Sequence, residues 1–134
     1  KRFAEAGILH YHSFIADLAQ AKPGRMDPVF DIIIADVPCS GSGTWARTPE
    51  QLHHFEIKKT EEYSALQKKI VTNAIPFLKD AGMFVYITCS VFKAENEEVT
   101  DYILKTSKLK LIEQKLITGY MKKADTLFIA VFSS

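Results

Sequence analysis

The sequence predicts an α/β fold, a mostly parallel sheet with helices on both faces and an antiparallel strand pair at its C-terminal end. Three observations predict it. Two short apolar runs, residues 30–37 and 83–88, have the length and aliphatic content of buried strands. Between them, from Glu61 onward, Tyr63, Leu66, Ile70, Ala74 and Phe77 recur at spacings of three and four, as one face of a helix does. Residues 109–117 and 126–132 then form two further strand-like runs joined by a short connection containing Gly119.

Along the chain, Gly7 closes a first helical segment, and residues 8–11 read as a short strand after it. Residues 21–28, with Pro23, Gly24, Asp27 and Pro28, form a loop by their turn chemistry. The run 30–37 is expected to be buried on both faces. Residues 38–50 are rich in Gly, Ser, Thr and Pro and are expected to be irregular. Thr60 is the expected N-cap of the long helix, with Glu61 and Glu62 suiting its positive end. Pro76 is expected to bend its last turn, and Gly82 to close it. A second helix begins at Ala94 or Glu95 and turns Val99, Tyr102 and Ile103 to the core.

With 134 residues, 47% hydrophobic and 25% charged, the composition is that of a single globular domain. The apolar runs are too short to cross a bilayer, and the first ten residues hold no signal-peptide core. Two cysteines do not make a disulfide scaffold, so reduced thiols and a cytoplasmic setting are expected. A net charge of +1 is small for a domain that grips phosphates by itself. Six lysines against one acid, Glu113, between Lys105 and Lys123 read as a solvated edge.

Both cysteines fall just past the end of a predicted strand. Cys39 follows Asp36, Val37 and Pro38, and Cys89 follows Ile87 and Thr88. In open α/β sheets the crevice beyond the strand ends is the ligand site. Two thiols, each followed by serine, and a carboxylate three residues before one of them are thus expected to converge on one cleft. A lone cysteine is ordinarily inert packing; two at matching strand ends are harder to read so. The Gly41-Ser-Gly43 segment lacks the Gly-Lys-Ser/Thr ending of a phosphate loop, so its glycines are read as allowing a tight turn beside a ligand.

The segment from Asp36 to Glu50, Asp-Val-Pro-Cys-Ser-Gly-Ser-Gly-Thr-Trp-Ala-Arg-Thr-Pro-Glu, resembles motif IV of the 5-methylcytosine RNA methyltransferases of the Sun/Fmu (RsmB-like) family. Gly82 to Ser90, ending Thr-Cys-Ser, with Glu95-Asn96-Glu97 after it, resembles that family's motif VI. Residues 125–132 are similar to its last strand, although Thr126 and Leu127 replace the usual Gly and aromatic. The resemblance implies a partial Rossmann-like methyltransferase fold, with residues 1–134 as the C-terminal portion of a catalytic domain. The Gly-rich turn after a first strand, which seats the methionine part of S-adenosyl-L-methionine, does not occur among these residues. Two expectations follow: the 134 residues alone bind cofactor weakly or not at all, and they self-associate through the incomplete sheet.

The implied activity is S-adenosyl-L-methionine-dependent methylation of cytosine carbon 5 in RNA, with ribosomal RNA the family default over transfer RNA. Carbon 5 is a poor nucleophile, and thiolate addition to carbon 6 makes it electron-rich. By the resemblance Cys89 is that nucleophile, Cys39 helps break the adduct afterwards, and Asp36 hydrogen-bonds the ring. The rival assignment, with Cys39 as nucleophile, is that of DNA cytosine-5 enzymes, which use the cysteine of a Pro-Cys pair. Pro38 sets the Cys39 loop, and Asp36, Pro38 and Asp17 are the cofactor-side candidates; Asp17 reads equally as a turn residue. Arg47, Ser40 and Ser90 are the substrate-side candidates, with Arg47 either on a phosphate or bracing its loop. Trp45 either stacks a base or anchors the loop. The histidines, His10, His12, His53 and His54, match no zinc spacing, and no metal is expected. Amino-group methyltransferases share an Asp-x-Pro turn but want an aromatic at position 39. A non-catalytic RNA-binding scaffold is the alternative of a different class.

Overall fold

The computed structural model describes residues 2–20 and 29–134. The elements are helix α1 (Arg2–Glu5), strand β1 (Phe30–Asp36), helices α2 (Glu50–His53) and α3 (Lys58–Ala74), strand β2 (Leu78–Thr88), helix α4 (Glu97–Thr106), and strands β3 (Lys110–Ile117) and β4 (Leu127–Ser133). The strands form one sheet in the order β1-β2-β4-β3. β1 runs parallel to β2, joined by the α3 crossover, whereas β4 is antiparallel to both its neighbours. Among the described residues the sheet is therefore mixed, and its parallel character is confined to β1 and β2.

The core lies between one sheet face and the helices α3 and α4. Phe84, Tyr86, Phe128, Ala130 and Phe132 project from the two central strands onto Val71, Val99 and Ile103 of the helices, all buried. Period-two alternation puts Met83, Val85 and Ile87 on the opposite face, in register with Ile32, Ile34 and Asp36 of β1 and with Ser133, Val131 and Ile129 of β4. Helices cover only one face among the described residues, so the expectation of helices on both is corrected. β1 is likewise not buried on both faces: it is an edge strand, with Ile32 53% and Ile34 65% exposed.

Residues 8–11 form no strand, because no strand among the described residues offers them a hydrogen-bonding partner. Gly7 does end α1, at φ 73°. The loop expected at 21–28 lies outside the described residues. α3 starts at Lys58, earlier than expected, and Thr60 sits inside its first turn with its hydroxyl donating to the Ile57 carbonyl (2.7 Å). The helix stops at Ala74 because Pro76 cannot donate the next hydrogen bond; Ile75–Phe77 is a 3₁₀ turn. β2 already begins at Leu78, so Gly82 lies within a bulge, where Phe30 pairs with Leu78 but Ile32 with Met83. A Cβ at Gly82 would lie 2.9 Å from the Lys79 carbonyl and 2.8 Å from Leu78, which is why a helix-ending role gives way to close backbone packing.

Candidate active site

Parallel, adjacent strands deliver their C-terminal ends to the same edge of the sheet. Asp36 of β1 pairs with Ile87 of β2, so Cys39 and Cys89 leave the sheet side by side. Their sulfurs are 3.2 Å apart and both residues are partly exposed.

Each cysteine is held by hydrogen bonds to the residues on either side of it. On the Cys39 side, Gln67 of α3 donates to the Pro38 carbonyl (2.9 Å), and the Ser40 N–H donates to Glu95 Oε2 (2.7 Å). Gln67 also reaches Glu95 Oε2 at 3.4 Å. On the Cys89 side, Thr88 donates its hydroxyl proton to Asn96 Oδ1 (2.6 Å), and Asn96 Nδ2 donates to the Ser90 carbonyl (2.8 Å). The Tyr86 hydroxyl donates to the Glu95 carbonyl (2.6 Å). One buried turn, Glu95-Asn96, therefore anchors both cysteine backbones. Glu95 Oε1 and Gln67 Oε1 are buried without a partner.

The pair's electrostatics follow from its geometry. The Cys39 thiol is lowered to about 7, first because Cys89 donates to it, with the backbone N–H groups of Gly41 and Cys89 helping and burial opposing. Cys89 is pushed up because it is held as that donor, with burial and the Cys39 charge adding to the effect. The first proton thus leaves the pair early and the second late. Burial also raises the Tyr86 phenol.

Asp36, Pro38 and Asp17 come together along a cavity of about 340 Å³ at the β1 edge, whose apolar wall includes Ile33, Ala35 and Ile70. Asp17 also accepts from the Ala19 N–H (2.9 Å), as a turn residue does. Arg47 makes a two-point contact with Asp125 (3.2 and 2.9 Å), bracing the loop against the β3–β4 connection while remaining exposed. Ser90 is fully buried. Its hydroxyl lies 3.3 Å from those of Ser40 and Ser42, so it fastens the two loops together and does not face a substrate. Trp45 packs edge-on against Phe55 and Phe92, a loop anchor. Gly43 meets protein, not ligand: its N–H donates to the Cys89 carbonyl (2.8 Å), and a Cβ there would fall 2.1 Å from the Thr126 carbonyl.

Sequence reasoning missed Gln67, Glu95 and Asn96 as site residues. The signal for Gln67 was present in Thr60, Ser64, Gln67, Val71 and Ala74, an alternative helical face whose polar members are all buried.

Over 92 residues, 69% of this chain, it is 37% identical to the tRNA (cytosine(49)-C(5))-methyltransferase of Pyrococcus abyssi, of which that stretch is 30%. It is 35% identical over 121 residues, 84% of this chain, to 15% of the 28S rRNA (cytosine-C(5))-methyltransferase of Mus musculus. The crystal structure of PH0851 superposes on 98% of the chain with a TM-score of 0.89 at 25% identity, using 33% of that protein. The chain thus spans a third or less of the length of these relatives. Residues 4–130 match the family described as 16S rRNA methyltransferase RsmB/F, and the chain belongs to that family.

Proposed function

We propose that this chain carries the cytosine-handling part of an enzyme that methylates carbon 5 of cytosine in RNA, by way of a cysteine adduct. The observation that carries the reading is the pair of sulfurs 3.2 Å apart at adjacent strand ends. Relatives described as cytosine-C(5) methyltransferases of transfer RNA and of ribosomal RNA support it, and we take ribosomal RNA as the substrate to test first, following the family description.

S-adenosyl-L-methionine supplies the methyl group when bound. The cavity at the β1 edge suits part of it, since two carboxylates, Asp17 and Asp36, can accept from amino and hydroxyl groups beside an apolar wall. These residues and Pro38 make up one side of a cofactor site, so we expect the 134 residues alone to bind it weakly and to be inactive. Calorimetric titration showing tight binding by the isolated chain would refute this.

In the proposed reaction the Cys39 thiolate, a substantial fraction of the thiol at neutral pH, takes the Cys89 proton across the 3.2 Å gap. The Cys89 sulfur then adds to cytosine carbon 6, and the double-bond electrons move to carbon 5. Asp36 hydrogen-bonds the ring, where charge develops on addition. After methyl transfer Cys39, having released its proton to solvent, promotes loss of the carbon 5 proton; the double bond re-forms and the carbon–sulfur bond breaks. Methylation assays of the full-length enzyme with ribosomal and transfer RNA test the reading. We expect ribosomal RNA to be labelled and Cys89→Ala to abolish labelling. Cys39→Ala is expected to slow turnover by about 10²–10⁴. Full labelling by Cys89→Ala would sink the proposal.

A further inference from the structure

The geometry points to a reversible oxidative modification: a disulfide between Cys39 and Cys89 that closes the site. Its formation does not depend on the methyl-transfer reading, which supplies only the consequence. The two residues are the only cysteines among these 134 residues. They follow the ends of neighbouring parallel strands, which is what brings them side by side. Their sulfurs are already 3.2 Å apart and must approach by only about 1 Å to bond. Both sit partly exposed at the sheet edge, where a small oxidant reaches them. The clamps on Pro38, Ser40, Thr88 and Ser90 act on the flanking residues and not on the two sulfurs.

The reaction needs a hydroperoxide. The Cys39 thiolate attacks its terminal oxygen; a sulfur–oxygen bond forms, the oxygen–oxygen bond breaks, and an alcohol leaves (water, when hydrogen peroxide is the oxidant). Cys89 then attacks the Cys39 sulfenic acid, the disulfide forms, and water leaves with the Cys89 proton. Two thiols are oxidised by two electrons and one hydroperoxide is reduced. The Cys39 thiolate present near neutral pH makes it the first sulfur to react. A resolving thiol in contact also intercepts the sulfenic acid before it reaches irreversible states. In the oxidised form neither sulfur can add to a pyrimidine.

Brief treatment of the chain with hydrogen peroxide, quenching with iodoacetamide and intact-mass measurement test this. We expect the loss of two hydrogens, no alkylation, and recovery of two alkylatable thiols after dithiothreitol. At pH 7 the folded chain should react about tenfold faster than the chain in denaturant, as the thiolate fraction requires. Cys89→Ser, lacking the resolving thiol, should instead accumulate oxygen on Cys39. Wild-type protein that gains oxygen without cross-linking, keeps both thiols, or links only between chains would overturn the inference. Those outcomes leave the methyl-transfer proposal standing. Failure of RNA labelling with a normal cross-link would do the reverse.

Discussion

At the scale of single residues, the chemistry depends on how two ordinary thiols are held. Cys39 owes its lowered value first to the proton it receives from Cys89. Cys89→Ala removes that donor and leaves burial to act, so the Cys39 titration should move up from about 7 towards or beyond the ordinary thiol value. The pH dependence of iodoacetamide alkylation reads this out, and an unmoved midpoint would mean that the contact does not set the charge. Glu95 acts on Cys39 through its backbone and is a positioning residue. Glu95→Ala orphans the Ser40 N–H and should cost about 1.5–3 kcal/mol by denaturant unfolding. Because the Glu95 charge raises the Cys39 thiol, both Glu95→Ala and Glu95→Gln should lower the pH midpoint of Cys39 alkylation, whereas Glu95→Gln, which keeps an acceptor for Ser40, should retain most of the stability. The cysteines, Asp36 and Pro38 were legible because they sit in contiguous motifs at predicted strand ends. Gln67 was harder to read: its buried helical face, Thr60, Ser64, Gln67, Val71 and Ala74, is mostly polar, and polar residues on a helix ordinarily face water.

At the scale of elements, both crossover strands, the long helix and the terminal hairpin were readable from periodicity. Their ends were not. Pro76 stops α3 where apolar spacing alone would extend it, and Gly82 looked like a helix terminator because a bulge and a helix end both call for glycine. The segment 8–11 has strand composition without a partner, which composition cannot report. The central strand β2 joins the halves: Phe84 and Tyr86 are fully buried between α3, α4 and β4. Phe84→Ala should lower unfolding stability by about 3–5 kcal/mol, measured by chemical denaturation. A loss below about 1 kcal/mol would contradict the assignment of that face as the core.

At the scale of the whole molecule, the sheet is covered on one face only among the described residues. Ile32, Ile34, Met83 and Leu127 lie exposed on the other, with Val85, Ile87, Ile129 and Val131 half-buried between them. Contiguous apolar surface of this extent is seldom left open in a soluble monomer. We therefore expect the 134-residue chain by itself to self-associate through this face, with a second copy as the occupant. Sedimentation velocity should show a dimer or larger species, and Ile34→Lys should shift it to monomer; wild-type protein sedimenting as a clean monomer would exclude the association.

The central claim is that Cys89 attacks the base while Cys39, in contact with it, manages the protons. Trapping the full-length enzyme on RNA containing 5-fluorocytosine, followed by proteolysis and mass spectrometry, tests it most directly. Nucleotide should appear on the peptide bearing Cys89, in wild type and in Cys39→Ala alike. Nucleotide on the Cys39 peptide, surviving in Cys89→Ala, would contradict it.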